Sequence, residues 1–203
     1  MFYLFLLIFL MLSAALLSTV FKTGKLRFWS KIFRIMVVLF SAGIFAYYFI
    51  SRSLPHFREN ALTVQIINKL PFPLDFYLVR VDTQEDSAKM FETLHLGDIR
   101  SEYYRIEYLD MTNSAEFWVA GFLGPKNMVY FSQHLIPNKN EDQIIEIQNY
   151  TNENPSLSES AARLVETLKF ENMKTAIWIT LDLLLLFLNF TLLVRRPKKN
   201  PGI

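Results

Sequence analysis

Asp182 is the residue of this chain whose position demands most of its surroundings. It lies seven positions into the run Thr175 to Val194, whose other residues carry no charge. A helix needs about 20 such residues to cross a bilayer core of ~30 Å. At ~1.5 Å per residue the carboxylate would lie roughly 10 Å below the membrane boundary. An acid at that depth is costly and is by default a functional-site hypothesis. Asn189 follows seven residues later, close to two helical turns, and shares the same face. Two chemistries fit this stripe: polar contact with a neighbouring helix, or carriage of a proton or ion. The second usually brings further acids or histidines along a path, and the apolar runs contain none, so an intramembrane contact through Asp182 and Asn189 is the stronger expectation. The other apolar runs offer no Lys, Arg or His; their polar candidates are Ser13, Ser18, Thr19, Ser41, Tyr47 and Tyr48. The partner helix belongs to this chain or another, and without an internal base another chain is the stronger expectation; a protonated, locally satisfied acid is the remaining alternative.

The rest of the chemical inventory is sparse. His56, His95 and His134 are isolated, with no carboxylate or histidine at ligand spacing, and read as surface or satisfied strand residues. No glycine-rich phosphate loop, nucleophile elbow or HExxH pattern occurs. The chain has no cysteine, which excludes disulfides, thiolate zinc sites and a cysteine nucleophile. Asp98, Glu107 and Asp110 are scattered acids of the kind that solvate a small domain. No catalytic residue, cofactor or metal site is expected, and the chain does not read as an enzyme.

The elements that must position Asp182 and Asn189 are three apolar runs in a chain of 203 residues. The first spans about residues 2–21, the second 35–51 and the third 175–194. Basic residues gather beside them. The linker 22–34 carries Lys22, Lys25, Arg27, Lys31 and Arg34, and the tail 195–203 carries Arg195, Arg196, Lys198 and Lys199, with no acid in either. The positive-inside rule puts both segments in the cytoplasm. The N-terminus and residues 52–174 then lie outside, in the periplasm of a bacterial inner membrane, a compartment to which the lack of cysteine also leans. A cleaved signal peptide competes for the first run, but Met1-Phe2-Tyr3-Leu4 lacks a basic n-region, so an anchored helix is expected. Residues 52–174 hold 12 basic and 18 acidic residues, a formal charge of 12 − 18 = −6. That balance gives no support for nucleic acid as a partner.

Residues 52–155 read as an outer β domain. Candidate strands are Leu62–Asn68, Leu74–Val81, Glu102–Leu109, Glu116–Leu123, Met128–Leu135 and Gln143–Asn149, divided by Pro71-Phe72-Pro73, Gly124-Pro125-Lys126-Asn127 and Pro137-Asn138-Lys139-Asn140. The clearest alternation places Tyr104, Ile106 and Tyr108 on a core face, with Arg105 and Glu107 opposite. Asp82–Asp98 breaks the rhythm and reads as a polar excursion with a helical turn near Ser87–Thr93. Short strands at this spacing suggest an all-β, antiparallel, sandwich-like fold; a partly open barrel is the alternative. From Ser156 the apolar period becomes helical through Leu157, Ala161, Leu164 and Leu168, with Ser156-Leu157-Ser158-Glu159 as a capping box. This amphipathic helix, 156–174, either runs into the third span as a strut or breaks near Glu171-Asn172.

Three transmembrane helices joined to a motif-free β domain point to a non-catalytic accessory subunit, whose partners are other integral membrane subunits and the lipid bilayer. A membrane-anchored ligand-binding sensor is the alternative, against which stand the short cytoplasmic segments; proton or ion coupling through Asp182 is a further one. The orientation has a direct check. With single cysteines at Asn138 and Asn200, an impermeant thiol reagent should label only Asn138→Cys in intact cells or spheroplasts. Labelling of Asn200→Cys alone would reverse the assignment.

Overall fold

A computed structural model describes residues 2–20, 24–53, 61–83 and 89–195. The chain divides into two compact units, Met1–Pro55 with Glu171–Ile203 as one and His56–Phe170 as the other.

Among its described residues the second unit contains seven strands: β1 (Ala61–Asn68), β2 (Leu74–Thr83), β3 (Lys89–Ile99), β4 (Tyr104–Asp110), β5 (Ser114–Leu123), β6 (Asn127–Leu135) and β7 (Gln143–Ile147). They form a three-stranded sheet in the order β4-β1-β7 and a four-stranded sheet in the order β3-β2-β5-β6. Leu62, Val64 and Ile66 of β1 alternate inward and meet Leu74, Phe76 and Leu78 of β2, with Phe117 and Val119 of β5, in one apolar core between the sheets. The other face of the four-stranded sheet is also buried. Tyr77, Val79, Val81, Trp118, Ala120 and Phe131 pack there against Ala161 and Val165 of helix α3 (Pro155–Val194). Burial on both faces is why these strands read as unbroken apolar runs such as Tyr77-Leu78-Val79. Gly121 of β5 is required by this packing, because a Cβ there would come within 2.8 Å of the Phe76 ring.

Several expectations change at this level. The sheets are not wholly antiparallel, since β1 and β7 run parallel. The segment expected as a polar excursion contains strand β3 from Lys89 onward, paired along β2; residues 84–88 lie outside the described residues. As an edge strand β3 puts few residues into the core, chiefly Leu96 and Ile99, and its pairing with β2 slips between Phe76 and Tyr77. That dilution hid its period. The expected core face of β4 is inverted. Leu62 pairs with Leu109, Val64 with Glu107 and Ile66 with Arg105. Paired residues project to the same side of a sheet, so Arg105, Glu107 and Leu109 take the inward side and Tyr104, Ile106 and Tyr108 lie on the outer face, 61%, 40% and 45% exposed. Inward-pointing charge on an edge strand reaches water at the rim and discourages pairing with a further strand.

Helix α3 is uninterrupted from Pro155 to Val194, so the break permitted near Glu171-Asn172 does not occur. Its N-cap is Asn154 rather than Ser156: the Asn154 side-chain oxygen accepts hydrogen bonds from the amides of Ser156 and Leu157, both at 3.2 Å. Pro155 then occupies the first helical position, where its missing N–H costs nothing.

The first unit consists of α1 (Phe2–Leu17), a single 3-10 turn (Ser18–Val20), α2 (Gly24–Ser53) and the later part of α3. All three helices are long and apolar enough to cross a membrane. The expected linker is helical from Gly24, which places Lys25, Arg27, Lys31 and Arg34 on the opening turns of α2. Ser30 donates to the Ser18 carbonyl at 2.7 Å and joins α2 to the end of α1.

The inverted β4 face generates a two-sided test. Ile66 is fully buried, so Ile66→Ala should cost ~2–5 kcal/mol, the range for large-to-small core changes. Ile106→Ala should stay within about 0.5 kcal/mol, as outward substitutions do. Thermal melting of the two variants checks the face assignment, and a larger loss for Ile106→Ala would restore the opposite register.

Candidate functional site

The three helices of the first unit meet along heptad seams. Phe5, Ile8, Leu12 and Ala15 of α1 are spaced by three, four and three residues and are all fully buried. Arg34, Val37 and Ser41 continue the same spacing on α2, and on α3 the seam runs through Trp178, Asp182, Leu185 and Asn189. A repeat of 3.5 residues keeps each stripe on its neighbours as helices wind together. The N-terminal part of α1 is bound through aromatic rings: Phe5 lies 6.2 Å from Phe45 and 5.3 Å from Tyr48, while Phe9 meets Trp178 edge-on at 5.5 Å.

Polar groups take over further along the seam. The Asn189 side-chain amide donates to the carbonyls of Leu12, at 3.0 Å, and Leu185, at 2.9 Å. The Asn189 backbone carbonyl in turn accepts from the Arg34 guanidinium at 3.1 Å. Asn189 thereby ties α3 to both other helices. Because α2 and α3 run in opposite directions here, the Arg34–Asn189 contact sets their register. Seven residues along each helix, about 10 Å at ~1.5 Å per residue, bring Ser41 and Asp182 to a common level.

Asp182 and Asn189 are both at 0% exposure, and Ser41 and Arg34 at 1% and 8%. The chain's own helices therefore cover the stripe expected to contact a second chain, which leaves Asp182 and Asn189 no surface to offer one. Among the described residues neither Asp182 oxygen nor the Ser41 hydroxyl has a hydrogen-bond partner. Asn68, equally buried in the β unit, shows the usual solution: its amide donates to the carbonyls of Phe72 and Ile99, and its oxygen accepts from the Leu70 amide. A buried polar group without such partners costs about 1–3 kcal/mol.

Of the six uncharged candidates, only Ser41 is buried; Tyr47 is exposed. Arg34 was legible as a basic flanking residue, and its seam position shows only once α2 is seen to begin at Gly24. Among the topology determinants, Lys22, Arg196, Lys198 and Lys199 lie outside the described residues, as does His56.

Two polar clusters of the β unit are built around its described histidines, and sequence spacing does not reveal them. His95 and Asp75 meet across β2 and β3 at 2.6 Å, and the Tyr77 hydroxyl donates to the same carboxylate at 2.7 Å. Burial, with that hydrogen bond, holds the Tyr77 phenol well above its ordinary range. Tyr77 also stacks on His95 with ring centres 4.5 Å apart, and the Lys169 ammonium lies 5.1 Å from the Tyr77 ring centre. His134 stacks on Phe117 at 5.1 Å and shares a hydrogen bond with the Ser132 hydroxyl. Burial pushes its pKa below the usual histidine value. Both histidines thus have partners within the sheets. No group of three or more His, Cys, Asp and Glu able to hold a metal occurs among the described residues. Asp98, Glu107 and Asp110 do not form such a group. Comparison with protein-family models, curated proteins and solved structures finds no match.

The two seam residues should respond oppositely to substitution. Asn189→Leu removes the side-chain bonds to the Leu12 and Leu185 carbonyls, while the Arg34 contact to the backbone carbonyl stays, and it should destabilise the unit by about 1 kcal/mol. Asp182→Leu removes an unpartnered polar group and should be neutral or stabilising. Unfolding of the purified chain by SDS titration in mild-detergent micelles checks both. Equal destabilisation by the two variants would show that Asp182 carries a structural contact.

Proposed function

We propose that this chain is a non-catalytic accessory subunit of a larger membrane complex in a bacterial inner membrane. Its three helices anchor it, its N-terminus and residues 52–174 face the periplasm, and its β unit docks on the outer part of a partner subunit. The observation that carries this reading is the uneven covering of the two sheets. The four-stranded sheet is covered by α3. The outer face of the three-stranded sheet is formed by Tyr104, Ile106, Tyr108 and Asp110 of β4, Ala61, Thr63, Gln65 and Ile67 of β1, and Ile144 and Glu146 of β7, with Ile144 64% exposed. Ile106 and Ile144 flank Gln65 in one row across the sheet. Exposed tyrosine and isoleucine with polar groups interspersed is the composition of protein interfaces rather than of lipid-facing surface.

A partner of different sequence suits this face better than a second copy, because residues 52–174 carry a formal charge of −6 and like copies would repel. The helices support the anchoring. Lys25, Arg27 and Lys31 stand at the N-terminal end of α2, where the helix dipole disfavours cations; retention on the cytoplasmic side accounts for them. Ala42 and Ala46 face outward on α2, and Gly43 has open space beside it, so another helix has room to approach closely there.

Purification of the native protein in mild detergent should recover a stoichiometric companion protein. Ile106→Lys with Ile144→Lys, both at outward positions, should release that companion while leaving the melting temperature of the chain within a few degrees. Recovery of the chain alone would remove the subunit reading, a complex of identical copies would replace the partner by a second copy, and a companion retained by the double variant would move the contact off this sheet.

A further inference from the structure

Between edge strand β3 and the first turns of α3 lies a partly open cleft of about 270 Å³. It belongs wholly to the β unit and is separate from the outer sheet face. Its floor is the indole of Trp118, 1% exposed, with Phe91 beside it at 5.3 Å and a 45° tilt. The indole N–H is committed to Glu116, so the small part of Trp118 that reaches the cleft is apolar. Leu157 and Leu164, one heptad apart on α3, form the opposite wall. A cavity of ~150 Å³ with comparable apolar lining admits benzene, so this cleft has room for a group about twice that size.

The rim is polar and uneven in what it offers. Ser160 donates its hydroxyl proton to the Ser156 carbonyl and Thr167 to the Arg163 carbonyl. The donor left with free capacity is the Arg163 guanidinium. Its contact with Glu159 is 3.5 Å long and joins two side chains more than 70% exposed, an arrangement of little strength that another anion can displace. An apolar slot between aromatic rings on one side and leucines on the other, closed at one edge by a cation, complements a flat hydrophobic body bearing one negative group. A carboxylate there can take the guanidinium by two parallel hydrogen bonds.

We infer that this cleft binds a small aromatic carboxylate of bicyclic size, its rings between Phe91 and the wall of Leu157 and Leu164, above the floor at Trp118, and its carboxylate on Arg163. The test uses the full chain in lipid nanodiscs, empty nanodiscs as the blank, and calorimetric titration with 1-naphthoate and with neutral 1-naphthalenemethanol. Saturable binding of 1-naphthoate is expected, with the neutral compound at least about tenfold weaker, as loss of a charge-assisted pair implies. Arg163→Gln, at an exposed position, should abolish that preference, and Leu164→Trp should fill the cleft and abolish binding. A helical circular dichroism melt identifies any variant that fails to fold, and Ser160→Phe, at the rim, then serves as a second blocking variant. No saturable binding above the blank, equal affinity for the two compounds, or binding undiminished by cleft-filling would each overturn the assignment.

Discussion

Burial of the four-stranded sheet on both faces is the constraint from which most of the β unit follows. A strand offers alternate residues to opposite sides, so β2 must satisfy two cores at once. Leu74, Phe76 and Leu78 serve the space between the sheets, and Tyr77, Val79 and Val81 serve the helix. β5 does the same with Phe117 and Val119 on one side and Trp118 and Ala120 on the other. The first turns of α3 are held by this second face, and Ala161 and Val165 permit close approach. The three-stranded sheet has no such cover among the described residues. Its outer face therefore keeps Tyr104, Ile106 and Ile144 at the surface, and the proposed partner contact is the complement of that asymmetry.

The helical unit obeys a different rule. Its seams repeat every 3.5 residues, and polar groups occupy seam positions on two of the three helices. Asn189 is well used there, bonded to α1 and, through its carbonyl, to Arg34. Asp182 has the same burial without any described partner. Stability alone gives no reason to keep a carboxylate at that position, since an apolar side chain would fill the seam at lower cost. Among the described seam residues Asp182 is the acid that helix packing does not explain, with both oxygens unpartnered beside the equally unpartnered Ser41 hydroxyl. Its enclosure removes it from the proposed partner contacts, which use outward surfaces on α2 and β4 instead.

The positions of most strands and of the apolar helices were legible in the sequence because their signals are local. An alternation of period two, a proline- or glycine-marked turn and an uncharged run of about 20 residues each declare themselves within one element. So did the stripe of Asp182 and Asn189, since seven residues on a helix return to nearly the same face. What only the tertiary structure decided was which side each element presents, and to what. Tyr104, Ile106 and Tyr108 alternate clearly, yet alternation does not say which set is inside; the pairing of Leu62 with Leu109 does. Strand β3 was hidden because an edge strand contributes few core residues, and the parallel β1–β7 pair because strand direction depends on where the chain returns. The covering of Asp182 and Asn189 by the chain's own helices rests on contacts such as Asn189 to Leu12, 177 residues apart in sequence. Periodicity is a property of an element by itself, whereas facing and register are properties of pairs distant in sequence, and folding settles them by burying the most apolar surface with the fewest unpaired polar groups.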